Sequence, residues 1–250
     1  MFDPRAAPAA GARSRPRPRG ILGSLAVLRR FALLGDIHAE DRRLAVALTW
    51  LKGQTIDAAL AVGDLADGCG DLDRCCALLA AHRVLAVRGN HDRWLLTDEL
   101  RDLRHAHQAV DLAPATLAFL ADLPPTRRLP TVRGDLLLGH GVGPDDMVRL
   151  RPHHAGYDLD ANFALADLLA DPALPLAAGG HTHQRMVRAF ARPSGPPLVF
   201  INPGTLHPDH DSGFAVVDLG RGHVAYFDLV EQPDESLVVQ AAEVAPLPGA

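Results

Sequence analysis

Lysine is nearly absent: Lys52 is the single one among 25 lysines and arginines, so almost every positive charge is a guanidinium. Such one-sided usage reads first as genomic composition. Cysteine is scarce too, with Cys69, Cys75 and Cys76 the only three in 250 residues, too few for a disulfide scaffold. Adjacent Cys75 and Cys76 cannot bridge each other without strain, and the paired C-x-x-C spacing of a structural zinc site is missing. A reducing, cytoplasmic setting is the expectation. No apolar run reaches the ~18–20 residues of a membrane helix, so no membrane association is expected. The stretch Ile21–Leu28 is too short for the apolar region of a signal peptide and runs into Arg29 and Arg30. Internal repeats and sustained heptads are also lacking, which removes solenoid and coiled-coil readings.

What is present is a chain able to fold around a core. Hydrophobic residues make up 48% of it, within the usual globular range. Charge is unevenly placed: residues 1–30 hold seven arginines against Asp3, a net of +6, which leaves −11 on residues 31–250 of a total of −5. An acidic body argues against a duplex-binding surface and suits a cation site. Residues 1–20 are rich in Pro, Ala and Arg and bury too little to offset their ordering entropy. Residues 1–29 are therefore expected as a disordered Arg/Pro-rich arm, and 30–250 as a single domain.

From residue 31 short apolar runs alternate with helical patterns. Phe31–Gly35, Asp57–Val62 and Val84–Val87 read as buried strands. Arg42–Lys52 and Asp71–His82 read as helices, the first ending before Gly53 and the second capped by Asp71. This β-α-β-α-β order implies a mostly parallel sheet covered by helices. Residues 93–125 look mixed and helical, clearest at Ala115–Leu123, and Asn162–Ala170 reads as a further helix. Strands are expected at Leu136–Leu138, Leu174–Ala178, Arg185–Phe190, Leu198–Ile201, Phe214–Leu219, Val224–Leu229 and Leu237–Val244. The last three alternate and are expected to be joined by Gly-containing turns, which predicts antiparallel pairing.

Five polar clusters follow these runs: Gly35-Asp36-Ile37-His38, Gly63-Asp64-Leu65-Ala66-Asp67, Gly89-Asn90-His91-Asp92, Gly139-His140-Gly141 and Gly179-Gly180-His181-Thr182-His183. In an open α/β sheet the carboxyl ends of strands are where ligands bind. Their Asp, His and Asn side chains offer oxygen and nitrogen donors without sulfur, which suits Mn, Fe, Zn, Ni or Co. Asp36 and His38, two apart on an extended segment, can face one ion, and His181 and His183 share that spacing. Asp36, His38, Asp64, Asn90, His140, His181 and His183 exceed what one ion needs, so two metals with a bridging carboxylate are expected.

The ordered series GDIH, GDLAD, GNHD, GHG and GGHTH resembles the calcineurin-like metallophosphoesterase superfamily, and Asn202-Pro203-Gly204-Thr205 resembles a turn of its small bacterial members. The resemblance implies an α/β fold, a four-layer αββα sandwich of two mixed sheets flanked by helices. It implies one metal on Asp36, His38, Asp64 and His183, and a second on Asp64, Asn90, His140 and His181. Manganese is the first expectation, with Fe, Zn, Ni, Co or Mg as alternatives. His91 matches the family's catalytic histidine and Asp67 the carboxylate that orients it. A metal-bridging hydroxide would attack phosphorus, with His91 as acid and transition-state stabiliser. Substrates would be small-molecule or nucleotide phosphoesters, mono- or diester, without a stable nucleic-acid complex.

One departure concerns phosphate binding. Gly68 stands where one branch of the superfamily carries a phosphate-gripping arginine, and Arg93 is the candidate to replace it or else a surface side chain. His207 and His210, just after the NPGT turn, are candidates to line the substrate cleft. Within the enzyme class a nucleotide-polyphosphate hydrolase or a protein phosphatase is the alternative, and outside it the competing function is a protein-binding scaffold, a role some relatives have taken on this fold. Retention of all seven ligand positions and of His91 favours the enzyme.

Overall fold

The computed structural model describes residues 27–248. Its first sheet is built on β1 (Arg30–Leu34), β2 (Ala58–Ala61) and β3 (Leu85–Ala86), connected by α1 (Asp41–Lys52) and α2 (Leu72–Ala81). These three strands are parallel, as the β-α-β-α-β order requires. On the other side of β1 the sheet continues antiparallel through β9 (Gly213–Asp218), β10 (His223–Glu231) and β11 (Leu237–Pro246). The second sheet holds β4 (Arg127–Thr131), β5 (Gly134–Leu138), β6 (Leu176–Ala178), β8 (Leu198–Asn202) and β7 (Met186–Phe190) in that spatial order. Here β5, β6 and β8 are parallel, and the two edge strands are antiparallel. Among the described residues four further α-helices follow, α3 (Asn90–Thr97), α4 (Pro114–Asp122), α5 (Tyr157–Asp160) and α6 (Phe163–Ala170), with a short 3-10 turn at Ala109–Asp111.

The two-residue period of a strand divides each sheet between two cores. Phe31 and Leu33 of β1 point between the sheets and meet Leu136, Leu138, Val199 and Ile201 from the second sheet. Ala32 and Leu34 point the other way, onto Leu44 and Leu48 of α1 and Cys75 and Leu79 of α2. In the second sheet Ala177 and Phe200 turn outward to Leu165 and Leu168 of α6. The result is the expected αββα sandwich of two mixed sheets. Cys75 and Cys76 are buried packing residues whose thiols burial pushes up, that of Cys76 to about 12.

Local signals explain most boundaries. Leu44, Ala47, Leu48 and Leu51 of α1 share one buried stripe, and the helix closes at Gly53, whose N–H bonds Trp50 O at 3.0 Å. Asp71 caps α2 by accepting from Arg74 N at 2.9 Å, and Asn162 caps α6 by accepting from Leu165 N at 2.9 Å. Three local expectations differ. Helix α3 begins at Asn90, inside a polar cluster, three residues before the zone that reads as helical. Strand β4 is hidden in the sequence by Arg127, Arg128 and Pro130; proline is accepted there because β4 is a sheet edge. The turn between β10 and β11 contains no glycine, and Glu235 supplies its left-handed position at φ 63°.

The arm expected over residues 1–29 lies outside the described residues up to residue 26. Its last residues belong to the domain: Leu28 is buried, with its N–H on Pro130 O at 2.9 Å, and Arg29 N bonds Asp57 Oδ2 at 2.7 Å. Among the described residues no helix is long and apolar enough to cross a membrane.

Phe31 is fully buried between the sheets, so Phe31→Ala should lower the unfolding free energy by about 3–5 kcal/mol. Urea denaturation checks this. A loss below about 1 kcal/mol would mean that the inter-sheet core does not hold the two sheets together.

Candidate metal centre

Parallel strands present their carboxyl ends on one edge. The five polar clusters leave from the ends of β1, β2 and β3 in one sheet and of β5 and β6 in the other. Hydrogen bonds across the sandwich draw them together: His181 N donates to Asp36 Oδ1 at 2.8 Å, and His140 Nδ1 donates to Val62 O at 2.9 Å. Two groups form, Asp36 with His38 and His183, and Asp64 with His140 and His181. Within each group the candidate ligand atoms lie within 4.8 Å of one another. Asn90 joins the second group, with Oδ1 2.9 Å from His140 Nε2.

The backbone that achieves this is not the extended one expected for Asp36 and His38. Asp36, His38, Asp64, Asp67, His181 and His183 all have positive φ, between 26° and 66°. That is half of the twelve such non-glycine residues among those described. L-residues avoid this region, and such strain persists only where surrounding structure over-determines it. The tight turns also separate His181 from His183, so the pair faces two sites instead of one. Gly89 and Gly180 are needed for close approach, because a Cβ would strike the carboxylates of Asp64 and Asp36 respectively.

The donor set fits cations. His38 donates through Nδ1 to Asp67 O at 2.9 Å, which leaves its Nε2 lone pair facing His183 Nε2 at 3.1 Å. His140, donating through Nδ1, turns Nε2 toward Asp64 Oδ2 at 3.1 Å and Asn90 Oδ1. Acceptors pointed at one another repel unless a proton or a metal sits between them. Asp36 Oδ2 is buried with no hydrogen-bond partner among the described residues, a costly state for an oxygen not bound to an ion.

Burial and charge act on these groups in opposite ways. Burial pushes the Asp36 carboxyl up to about 7. Burial and the neighbouring His38 hold His183 down at about 3, and burial and His140 hold His181 at about 4, so both are neutral ligands at neutral pH. Burial opposes the charged form of His140, but Asp64 outweighs it and lifts the imidazole to about 10. Burial likewise opposes the Asp64 carboxylate, and His140 overrides it and holds the group well below the usual range.

His91 donates from Nδ1 to Asp67 Oδ2 at 2.8 Å. Burial lowers the affinity of His91 for a proton, yet the Asp67 hydrogen bond and the Asp64 charge leave it raised. Asp67 is itself clamped: Arg101 forks onto both oxygens at 2.9 and 3.0 Å, and His107 N donates to Oδ1 at 3.0 Å. Asp92 accepts from Gly89 N, Leu65 N and Ala66 N, each at 2.9 Å, and so ties the second cluster to the third. Thr205 Oγ1 donates to Asp36 O at 2.7 Å and Asn202 Nδ2 to Gly180 O at 2.9 Å, so the Asn202–Thr205 turn fastens the first cluster to the fifth.

Residues 30–222 match the calcineurin-like phosphoesterase superfamily domain. The chain belongs to this superfamily. No curated protein matches the sequence. Among solved structures, the phosphoesterase fold is shared with a metallophosphoesterase from Sphaerobacter thermophilus at 18% identity and a TM-score of 0.54, over 86% of this chain and 89% of that one. It is shared with a hypothetical protein from Pyrococcus horikoshii OT3 at 15% identity and a TM-score of 0.64, over 82% and 89%.

All seven ligand positions expected from the motifs of the superfamily stand at this centre, with Asp64 grouped with His140 and His181. Two expected substrate contacts differ in setting. The Arg93 guanidinium forks onto Asp146 through Nε at 2.8 Å and Nη2 at 2.9 Å. His207 stands at the mouth, its ring 5.8 Å from that of His38. His210 flanks it, 4.7 Å from His183, on an open polar cleft of about 860 Å³. Arg101, His107 and Arg149 were not visible in the sequence, because no motif ties them to residues 32 to 40 positions away that they touch. Asp92 was visible as part of the GNHD block, but its role as a backbone staple was not.

A metal ligand must be deprotonated, and His140, lifted to about 10, holds a proton at neutral pH while no cation is bound. Metal uptake at pH 7 should therefore release protons, and affinity should rise as pH is raised from 6 to 9. Calorimetry in buffers of different ionisation enthalpy measures the release. A pH-independent affinity with no proton release would overturn the assignment of His140 as a ligand.

Proposed function

We propose that this protein hydrolyses phosphate esters of small molecules or nucleotides with two divalent cations, one in each Asp/His cluster, Asp64 reaching both. The observation that carries this reading is the gathering of Asp and His ligand atoms into two adjacent clusters, Asp36 with His38 and His183 and Asp64 with His140 and His181, each within 4.8 Å. Asp36, His38, Asp64 and His183 would hold one cation; Asp64, Asn90, His140 and His181 would hold the other. Nitrogen and oxygen donors without sulfur suit manganese first, with Fe, Zn, Ni, Co or Mg able to replace it. Two such cations supply a nucleophilic oxygen at neutral pH and neutralise charge on the phosphoryl group.

The remaining work falls to the chain. His91, anchored through Nδ1, keeps Nε2 for the substrate, and its raised proton affinity holds the proton that the leaving oxygen needs. Asp67 stabilises the imidazolium, and the Arg101 fork keeps Asp67 ionised. The acidic body, −11 over residues 31–250, repels extended polyanions and favours small substrates.

Hydrolysis of aryl phosphate mono- and diesters by the manganese-loaded protein tests the reading. Asp64→Asn should abolish turnover, and the preferred ester separates phosphatase from phosphodiesterase. His91→Ala should retain both metals and lower kcat by about 10²–10⁴-fold. Undiminished turnover in His91→Ala would remove the acid role. A wild-type protein that takes up no metal and cleaves neither ester would support the protein-binding scaffold instead.

A further inference from the structure

The arginines whose contacts place them around the centre are nearly all committed. Arg101 forks onto Asp67, Arg93 onto Asp146, and Arg185, beside the cleft, meets Asp228 at 2.6 Å. Arg149 differs. Its Nε lies 3.4 Å from His181 Nε2, and among the described residues it forms no ion pair with a carboxylate. Neither Nη has a hydrogen-bond partner among those residues, and the side chain is exposed.

Its backbone, by contrast, is anchored. Leu150 is buried, Arg149 O accepts from Asn162 Nδ2, and the Arg93–Asp146 fork pins the loop three residues earlier. The loop therefore presents an anchored stem with the Arg149 guanidinium beside His181 of the second cluster, its two Nη groups without partners among the described residues. A guanidinium beside a cluster built for cations is repelled when that cluster is filled, unless an anion lies between them. The fork matches two oxygens of a tetrahedral phosphoryl group.

We propose that Arg149 is the phosphate-gripping residue, its two Nη groups holding non-bridging oxygens of the substrate next to the Asp64, His140 and His181 cluster. The assignment rests on the hydrolase reading above. It also gives Arg93 a different part: the Arg93 fork on Asp146 positions the loop that delivers Arg149.

The test is inorganic phosphate binding to the full-length, manganese-loaded protein by titration calorimetry, with metal content measured in parallel. Arg149→Ala should weaken phosphate roughly ten- to hundredfold with both metals retained. It should raise KM for an aryl phosphate by a similar factor and change kcat far less, as expected for uniform binding. Arg149→Lys, which keeps the charge and loses the fork, should recover only part of the affinity. Free guanidinium ion should restore phosphate binding to Arg149→Ala. Phosphate affinity within twofold of wild type in Arg149→Ala would overturn the assignment and leave the hydrolase reading standing. Loss of metal from Arg149→Ala, with phosphate affinity falling in step, would overturn it in favour of support for His181. A wild-type protein that binds two metals and no phosphate, yet cleaves an aryl ester, overturns the assignment alone; one that also cleaves neither ester brings both readings down together.

Discussion

The structure depends on holding like-signed acceptors a few ångströms apart in a buried place. Asp36, Asp64, His38 and His140 are buried, His181 and His183 half-buried beside them, and without a proton or cation among them so many acceptors at close range would repel one another. It is tolerable because the buried members are fixed from behind. His38 is held by the Asp67 carbonyl, His140 by the Val62 carbonyl, and Asp36 by the His181 amide. The strained left-handed turns and the two glycines that admit the carboxylates serve the same end.

The layers exist to make that convergence rigid. Phe31 and Leu33 face the second sheet while Ala32 and Leu34 face the helices, so a single strand grips both cores before its end turns into Asp36. A one-residue slip in β1 would exchange those faces and displace the carboxylate. The Asn202–Thr205 turn then bridges the ends of the two sheets, and Tyr226 OH donates to Asn202 O at 3.1 Å, extending the fastening to β10. The centre is thus supported by the second sheet and by the antiparallel half of the first, although its ligands come only from parallel strand ends.

Much of this was legible in the chain. The helix stripe of Arg42–Lys52, the Asp71 cap and the parallel strand order follow from local periodicity and capping, which act within a few residues. The seven ligand positions were legible because five of them stand directly after a glycine near a strand end, and His38 and His183 follow two residues behind Asp36 and His181. The start of helix α3 is not legible because Asn90, His91 and Asp92 are poor helix formers, held helical by Asp92 accepting from Gly89 N. Strand β4 was missed because its stability comes from pairing with β5, and its arginines and proline speak against a strand.

By itself the sequence determined the fold class, the superfamily and the identity of the candidate ligands, because those depend on residue type and spacing along the chain. Only the tertiary structure shows how His181 and His183 come to stand in different groups: backbone turns at positive φ part them, which their spacing along the chain does not encode. It also assigned the arginines. Arg93, beside a motif, is neutralised by Asp146, whereas Arg149, beside none, reaches His181 across 32 positions of chain. Which cation stands unpaired at a site depends on where every carboxylate comes to rest, and that is fixed by packing between remote segments.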